Sequence, residues 1–231
     1  MHIRTKLYVI IPFVVLFLFI SCERAEEDIL VLMPENTQLL FENEYVRVLN
    51  ITLEPGDKQP LHFGGNRLIY ALSDYTIKYY RDEDATEIPW NEGGIHWHDA
   101  GKHAVENVGE TIAEYLVFER KPIELHVESD EIAETGIMIQ DIEYATAIFE
   151  NDYAHVVRVH LPADSSIAGH DGIYRLVYSL SDYTIRYTSE INGMSETEFE
   201  AGDIHWHSPG VHSVENIGDK DALFLIFSLK Q

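Results

Sequence analysis

The chain holds one cysteine, Cys22, in 231 residues, so no internal disulfide can form. Basic residues are also scarce. Sixteen Lys plus Arg stand against 40 Asp plus Glu, giving a net charge of -24 and a pI near 4.7. Such a field repels phosphate backbones and anionic lipid, which argues against a nucleic-acid partner. The acid itself reads as a solvated surface. No Gly-x-Ser-x-Gly elbow, phosphate loop or dinucleotide fingerprint is present. With the lone thiol in the N-terminal apolar region, nucleophilic catalysis has no support. Helix-period stretches are few.

What remains is ordinary globular usage, 45% hydrophobic and 24% charged, enough for two cores of about 100 residues each. The N-terminus begins with His2, Arg4 and Lys6 and continues into an apolar run over residues 7–20, too short to span a bilayer comfortably. Ser21 and Cys22 follow directly. The arrangement resembles a bacterial lipoprotein signal, which implies removal of residues 1–21, lipidation of Cys22 and export to the cell envelope, with a lipid anchor as the membrane contact. Residues 22–28, rich in Glu and Asp, read as a short tether.

The body of the chain is written twice. Residues 41–80 align without a gap on 149–188 with 18 of 40 identities, and 93–121 align on 202–230 with 15 of 29. A period near 108 residues is far above solenoid length, so each copy is a domain: 29–121 and 137–231, joined by an acidic linker at 122–136. Within each copy, short β-branched and aromatic runs alternate with turn residues, as at 46–53, 68–72, 75–80, 95–98, 104–107 and 113–118. Residues 29–33 and 137–139 are expected to add a further strand to each copy. This is an all-β chain of barrel or sandwich type.

The spacings Pro55-Gly56-x5-His62 and Gly93-x7-Gly101-x-His103-x3-Asn107-x-Gly109 resemble the two motifs of the cupin superfamily. The resemblance covers nearly all of both copies. It implies a bicupin, two tandem antiparallel jelly-roll barrels, each with an interior pocket and the motifs on facing strands. It also implies a metal site, whose first-motif histidine is His62 or His170 and whose second-motif histidine is His103 or His212. Here the chain departs from the pattern: Gly64 and Gly172 stand where a second first-motif histidine is usual, and no Glu follows. Two imidazoles hold a divalent ion poorly.

Each copy also carries His-Trp-His, at 96–98 and 205–207. If His98 and His207 turn inward, the sets His62, His98, His103 and His170, His207, His212 could hold iron, manganese, zinc or nickel. The strand period of two puts His96 and His98 on one face and Ile95 with Trp97 on the other, and apolar faces normally take the interior, which sends the histidines outward. Arg67 and Arg175 are expected at the pocket rim, clamping an anion with Tyr70 and Tyr178 nearby, or else in surface ion pairs. Asn107 and Asn216 are expected to pin strand ends, and 73–76 and 181–184 to form hairpin turns.

Two functions are compatible with these residues. One is a binding module holding a small acidic or sugar-like ligand without turnover; the other is a metal-dependent oxygenase or isomerase. Loss of two usual ligands in both copies favours binding. The barrels could pair within a monomer, or a homodimer could form.

Overall fold

The computed structural model describes residues 28–125 and 144–230. The signal segment, Cys22 and most of the expected linker, with residues 137–139, lie outside them. Among the described residues, no helix is long and apolar enough to cross a membrane.

Each copy folds into two antiparallel sheets that face each other. In the first copy, β1 (Thr37–Glu42), β2 (Val46–Leu53), β9 (Ala113–Arg120), β4 (Asn66–Ala71) and β7 (Ile95–His98) form one sheet, in that order. The opposing sheet is β3 (Lys58–Gly64), β8 (Gly101–Asn107), β5 (Tyr75–Arg81) and β6 (Asp84–Trp90). The second copy repeats the order as β10 (Ala145–Glu150), β11 (Ala154–Leu161), β18 (Ala222–Leu229), β13 (Arg175–Ser179) and β16 (Ile204–His207), facing β12 (Ser166–Gly172), β17 (Gly210–Asn216), β14 (Tyr183–Ser189) and β15 (Gly193–Phe199). These are two tandem jelly rolls.

Alternation along the strands gives the first sheet of each barrel two buried faces. On β4, Ile69 and Ala71 join Leu49, Ile51, Tyr75 and Val105 in the barrel core, whereas Leu68 and Tyr70 join a cluster that spans both barrels. That shared cluster has pseudo-twofold symmetry. Phe118 stacks on its counterpart Phe227 with ring centroids 3.4 Å apart. Trp97 stacks on Tyr153 at 5.4 Å, and the equivalent pair, Trp206 and Tyr45, stacks at 5.7 Å. Each surface meets the other copy's equivalent surface, as in an isologous dimer.

Local polar chemistry fixes the turns. Asn107 is fully buried; its Nδ2 donates to Leu53 O at 2.9 Å and Thr111 O at 2.8 Å, while Oδ1 accepts from Gly109 N at 3.1 Å. Asn216 repeats this with Leu161 O, Lys220 O and Gly218 N. Two expectations are corrected. Residues Ile29–Leu32 form a single helical turn, here α1, because the Asp28 side chain accepts from Leu30 N and caps it. The turns after β4 and β13 carry the chain between opposing sheets and so are not hairpins.

Candidate functional site

The interior of barrel 1 brings together residues from both sheets. His62 on β3 and His103 on β8 are register partners, with ring centroids 4.2 Å apart, so the two motifs lie side by side in one sheet and not on facing strands. Across the interior, Arg67 on β4 is the register partner of His98 on β7. Tyr79 on β5 stacks on both His98, at 4.8 Å, and His103, at 5.4 Å. His96 lies one step further along β7, stacked on Trp90 at 3.8 Å. Barrel 2 repeats the group with His170, His212, Arg175, His207, Tyr187 and His205, the last stacked on Phe199 at 4.4 Å.

The histidines of β7 and β16 therefore point inward, and the outward placement expected from apolar preference is corrected. Trp97 and Trp206 do occupy an apolar environment, but it is the one between the barrels. His96 and His98 line a cavity of about 40 Å³ in barrel 1, and His205 and His207 line one of about 140 Å³ in barrel 2. Tyr70 and Tyr178 are also corrected. A separation of three residues puts Arg67 and Tyr70 on opposite faces of β4, and both tyrosines belong to the shared cluster. Tyr75, Tyr79 and Tyr115 line the cavity of barrel 1 and Tyr183 and Tyr187 that of barrel 2; Tyr79 and Tyr187, which stack on the cavity histidines in both copies, were passed over by sequence reasoning.

Arg67 and Arg175 lie neither at a rim nor in surface ion pairs. They are 3% and 4% exposed. Arg67 Nη2 donates to His103 Nε2 at 3.0 Å and Nη1 to Gly65 O at 3.0 Å. Arg175 does the same with His212 Nε2 at 3.0 Å and Ile173 O at 3.1 Å, and its Nη2 also reaches Tyr187 Oη at 3.1 Å. A guanidinium has no acceptor, so Nε2 of each imidazole must accept and its proton sits on Nδ1. That proton faces Gly101 O in barrel 1 and Gly210 O in barrel 2, at 3.4 and 3.2 Å. His62 and His170 likewise turn Nδ1 to backbone carbonyls, at 2.9 and 2.8 Å, leaving Nε2 as an acceptor.

The missing motif histidine and the buried arginine are one structural change. A Cβ built at Gly64 would stand 2.7 Å from Arg67 Nη1, 2.9 Å from Cζ and 3.0 Å from His103 Cε1. At Gly172 it would lie 2.8 Å from both Arg175 Cζ and His212 Cε1. The guanidinium fills space that a side chain at this position would need. It also places a positive charge on the imidazole nitrogen that a metal would use. The donor set thus does not fit the metal that the cupin resemblance implies. Among the described residues, no three His, Cys, Asp or Glu side chains are grouped so as to hold an ion, and the sets His62, His98, His103 and His170, His207, His212 do not form one.

Electrostatics keep the imidazoles neutral. Burial, then the nearby guanidinium, pushes His103 down to about 2 and His98 to about 4; burial, then His98, takes His96 to about 3. In barrel 2, burial and Arg175 press His205, His207 and His212 down to about 4, 2 and 3. Desolvation also lowers the two arginines, against the opposing pull of Tyr79 and Tyr187.

No family model matches the chain, and no curated protein matches it. Solved structures do. A tryptophan-to-tyrosine variant of Bacillus subtilis oxalate decarboxylase superposes with a TM-score of 0.60 at 13% identity, covering 85% of this chain and 76% of that one. AerE from Microcystis aeruginosa gives 0.59 at 16% identity, covering 84% and 97%. At such identity the likeness carries the fold alone, and that fold is the cupin jelly roll. The chain has the two-barrel, bicupin form of it.

Proposed function

We propose that this bicupin is an envelope-anchored lipoprotein that binds a small anion in a barrel interior without turnover, using a buried guanidinium. The observation that carries the reading is the 3.0 Å contact from arginine Nη2 to histidine Nε2, repeated in both barrels beside a glycine that leaves it room. A buried guanidinium among neutral imidazoles is a fixed positive charge in a low-dielectric cavity, and a ligand carboxylate or similar anion would compensate it. Lysine would serve less well, because the planar fork can hold a histidine and a ligand together.

The envelope location rests on the apolar run at 7–20 followed by Ser21 and Cys22. The pairing of the two barrels across Phe118 and Phe227 supports a chain that is self-sufficient as a monomer. Calorimetry on the full-length protein tests the binding: acetate, butyrate or inorganic phosphate should bind, and an Arg67→Gln/Arg175→Gln double variant should bind none. Unchanged binding in a folded double variant rejects the reading. Incorporation of labelled fatty acid that disappears in Cys22→Ser tests the anchor, and labelling that persists there rejects it.

A further inference from the structure

The two arginines differ in what surrounds them. Arg67 shares its cavity with Glu119, whose carboxylate is 2.9 Å from Arg47, and Arg47 also pairs with Asp28. The charges of barrel 1 are therefore balanced, two against two. Arg47 and Glu119 are register partners on β2 and β9; their counterparts on β11 and β18 are His155 and Ser228, again register partners. No carboxylate pairs with Arg175 among the described residues; its guanidinium meets the neutral acceptors Ile173 O, His212 Nε2 and Tyr187 Oη.

The cavities differ in the same direction. That of barrel 1, about 40 Å³, is of the size that a few waters fill, and the amide of Gln59, its Nε2 without a partner, faces it. That of barrel 2, about 140 Å³, is several times larger. Its position equivalent to Gln59 is Ile167 and that equivalent to Tyr115 is Phe224, so polar groups have given way to apolar ones. His205 Nδ1 borders this space buried and without a partner, as His96 Nδ1 does in barrel 1.

We infer that barrel 2 is the ligand-binding half, and that its ligand is a small monocarboxylate with a short apolar tail, held by Arg175 and Tyr187. Arg175 and the Tyr187 hydroxyl meet the carboxylate, while Val177, Ile185, Phe224 and Ile226 receive the tail. A single guanidinium among neutral imidazoles balances one negative charge; a dianion would leave the second unpaired in an apolar cavity. Barrel 1, already charge-balanced and nearly filled, is the structural half. This inference rests on the anion-binding reading and adds to it the barrel and the ligand class.

Calorimetric titration of the full-length protein at pH 7 with acetate, butyrate, succinate and inorganic phosphate separates the two levels. Butyrate is expected to bind more tightly than acetate, and both more tightly than succinate or phosphate. Arg175→Gln should weaken butyrate at least about tenfold and Arg67→Gln less than about twofold. Because Arg175→Gln removes a buried charge and could impair folding, Tyr187→Phe provides the second test, with an expected loss of about two- to tenfold in a variant that keeps the native circular-dichroism spectrum. Dependence on Arg67 instead of Arg175, or a preference for the dianions, overturns this inference and leaves anion binding standing. Absence of binding by all four probes overturns both.

Discussion

Barrels 1 and 2 keep the same four histidines, arginine, glycine and tyrosine in the interior, and the same tryptophan, tyrosine and phenylalanine at the contact between them. Around that constant frame the polar fittings diverge: Arg47, Gln59, Tyr115 and Glu119 in the first barrel correspond to His155, Ile167, Phe224 and Ser228 in the second. The retained set is what geometry couples, since the arginine needs the glycine's space and the histidine's acceptor nitrogen at once. The divergent set decides how much room and how much unbalanced charge each cavity keeps. Duplication thus keeps the residues that geometry couples and varies those that set cavity size and charge balance.

The largest effect is expected where the barrels depend on each other. Phe118→Ala and Phe227→Ala each remove half of one stacked pair between buried faces, and each should cost about 3–5 kcal/mol of unfolding free energy by urea denaturation. Nearly equal costs support the pseudo-twofold contact, and a cost confined to one of them breaks it. Next come Gly64→Ala and Gly172→Ala, which drive a methyl into the guanidinium and should cost about 1–3 kcal/mol. The closer approach to Arg175 makes Gly172→Ala the more damaging of the two, so a neutral result there would mean that the arginine does not occupy this space.

In acid the effect is shared among several imidazoles. Six cavity imidazoles have folded pKa values of about 2 to 4, below the unfolded value near 6.5, so the unfolded chain takes up the protons first. Their contribution is complete above about pH 6.5 and is lost progressively as the pH falls toward those folded values. Between pH 6.5 and 5, where few carboxylates titrate, unfolding temperature should decline steadily, and less steeply in His98→Gln. A flat profile over that window would mean that the imidazoles are not held neutral.

Much of the architecture is legible in the sequence. The repeat, the strand runs and the two motif spacings lead to a pair of jelly rolls, and Asn107 and Asn216 pin strand ends as expected. Orientation on β7 is not legible, for a physical reason. A period of two separates Trp97 from His96 and His98 but does not say which face is the barrel interior. The rule that apolar faces go inside presumes solvent outside, whereas the outer face of this sheet is covered by the other barrel. The same period does exclude Arg67 and Tyr70 from a common pocket, and applying it on β4 and β5 leads to Tyr79. The burial of Arg67 could not be read from its own position, because it depends on the absence of a side chain at Gly64, three residues away. Residues 29–33 have strand-like composition, yet the carboxylate of Asp28 turns them into a capped helical turn.

The central claim is that an arginine side chain stands where the cupin resemblance implies a metal, and metal content reports on it most directly. Elemental analysis of the full-length protein after exposure to manganese, iron, zinc and nickel, followed by gel filtration, should find no stoichiometric ion in the native sequence. In a Gly64→His/Arg67→Ala variant, which restores a third imidazole and removes the guanidinium, about one ion per chain should be retained. A full equivalent of metal in the native protein, lost in His62→Ala or His103→Ala, would contradict the account.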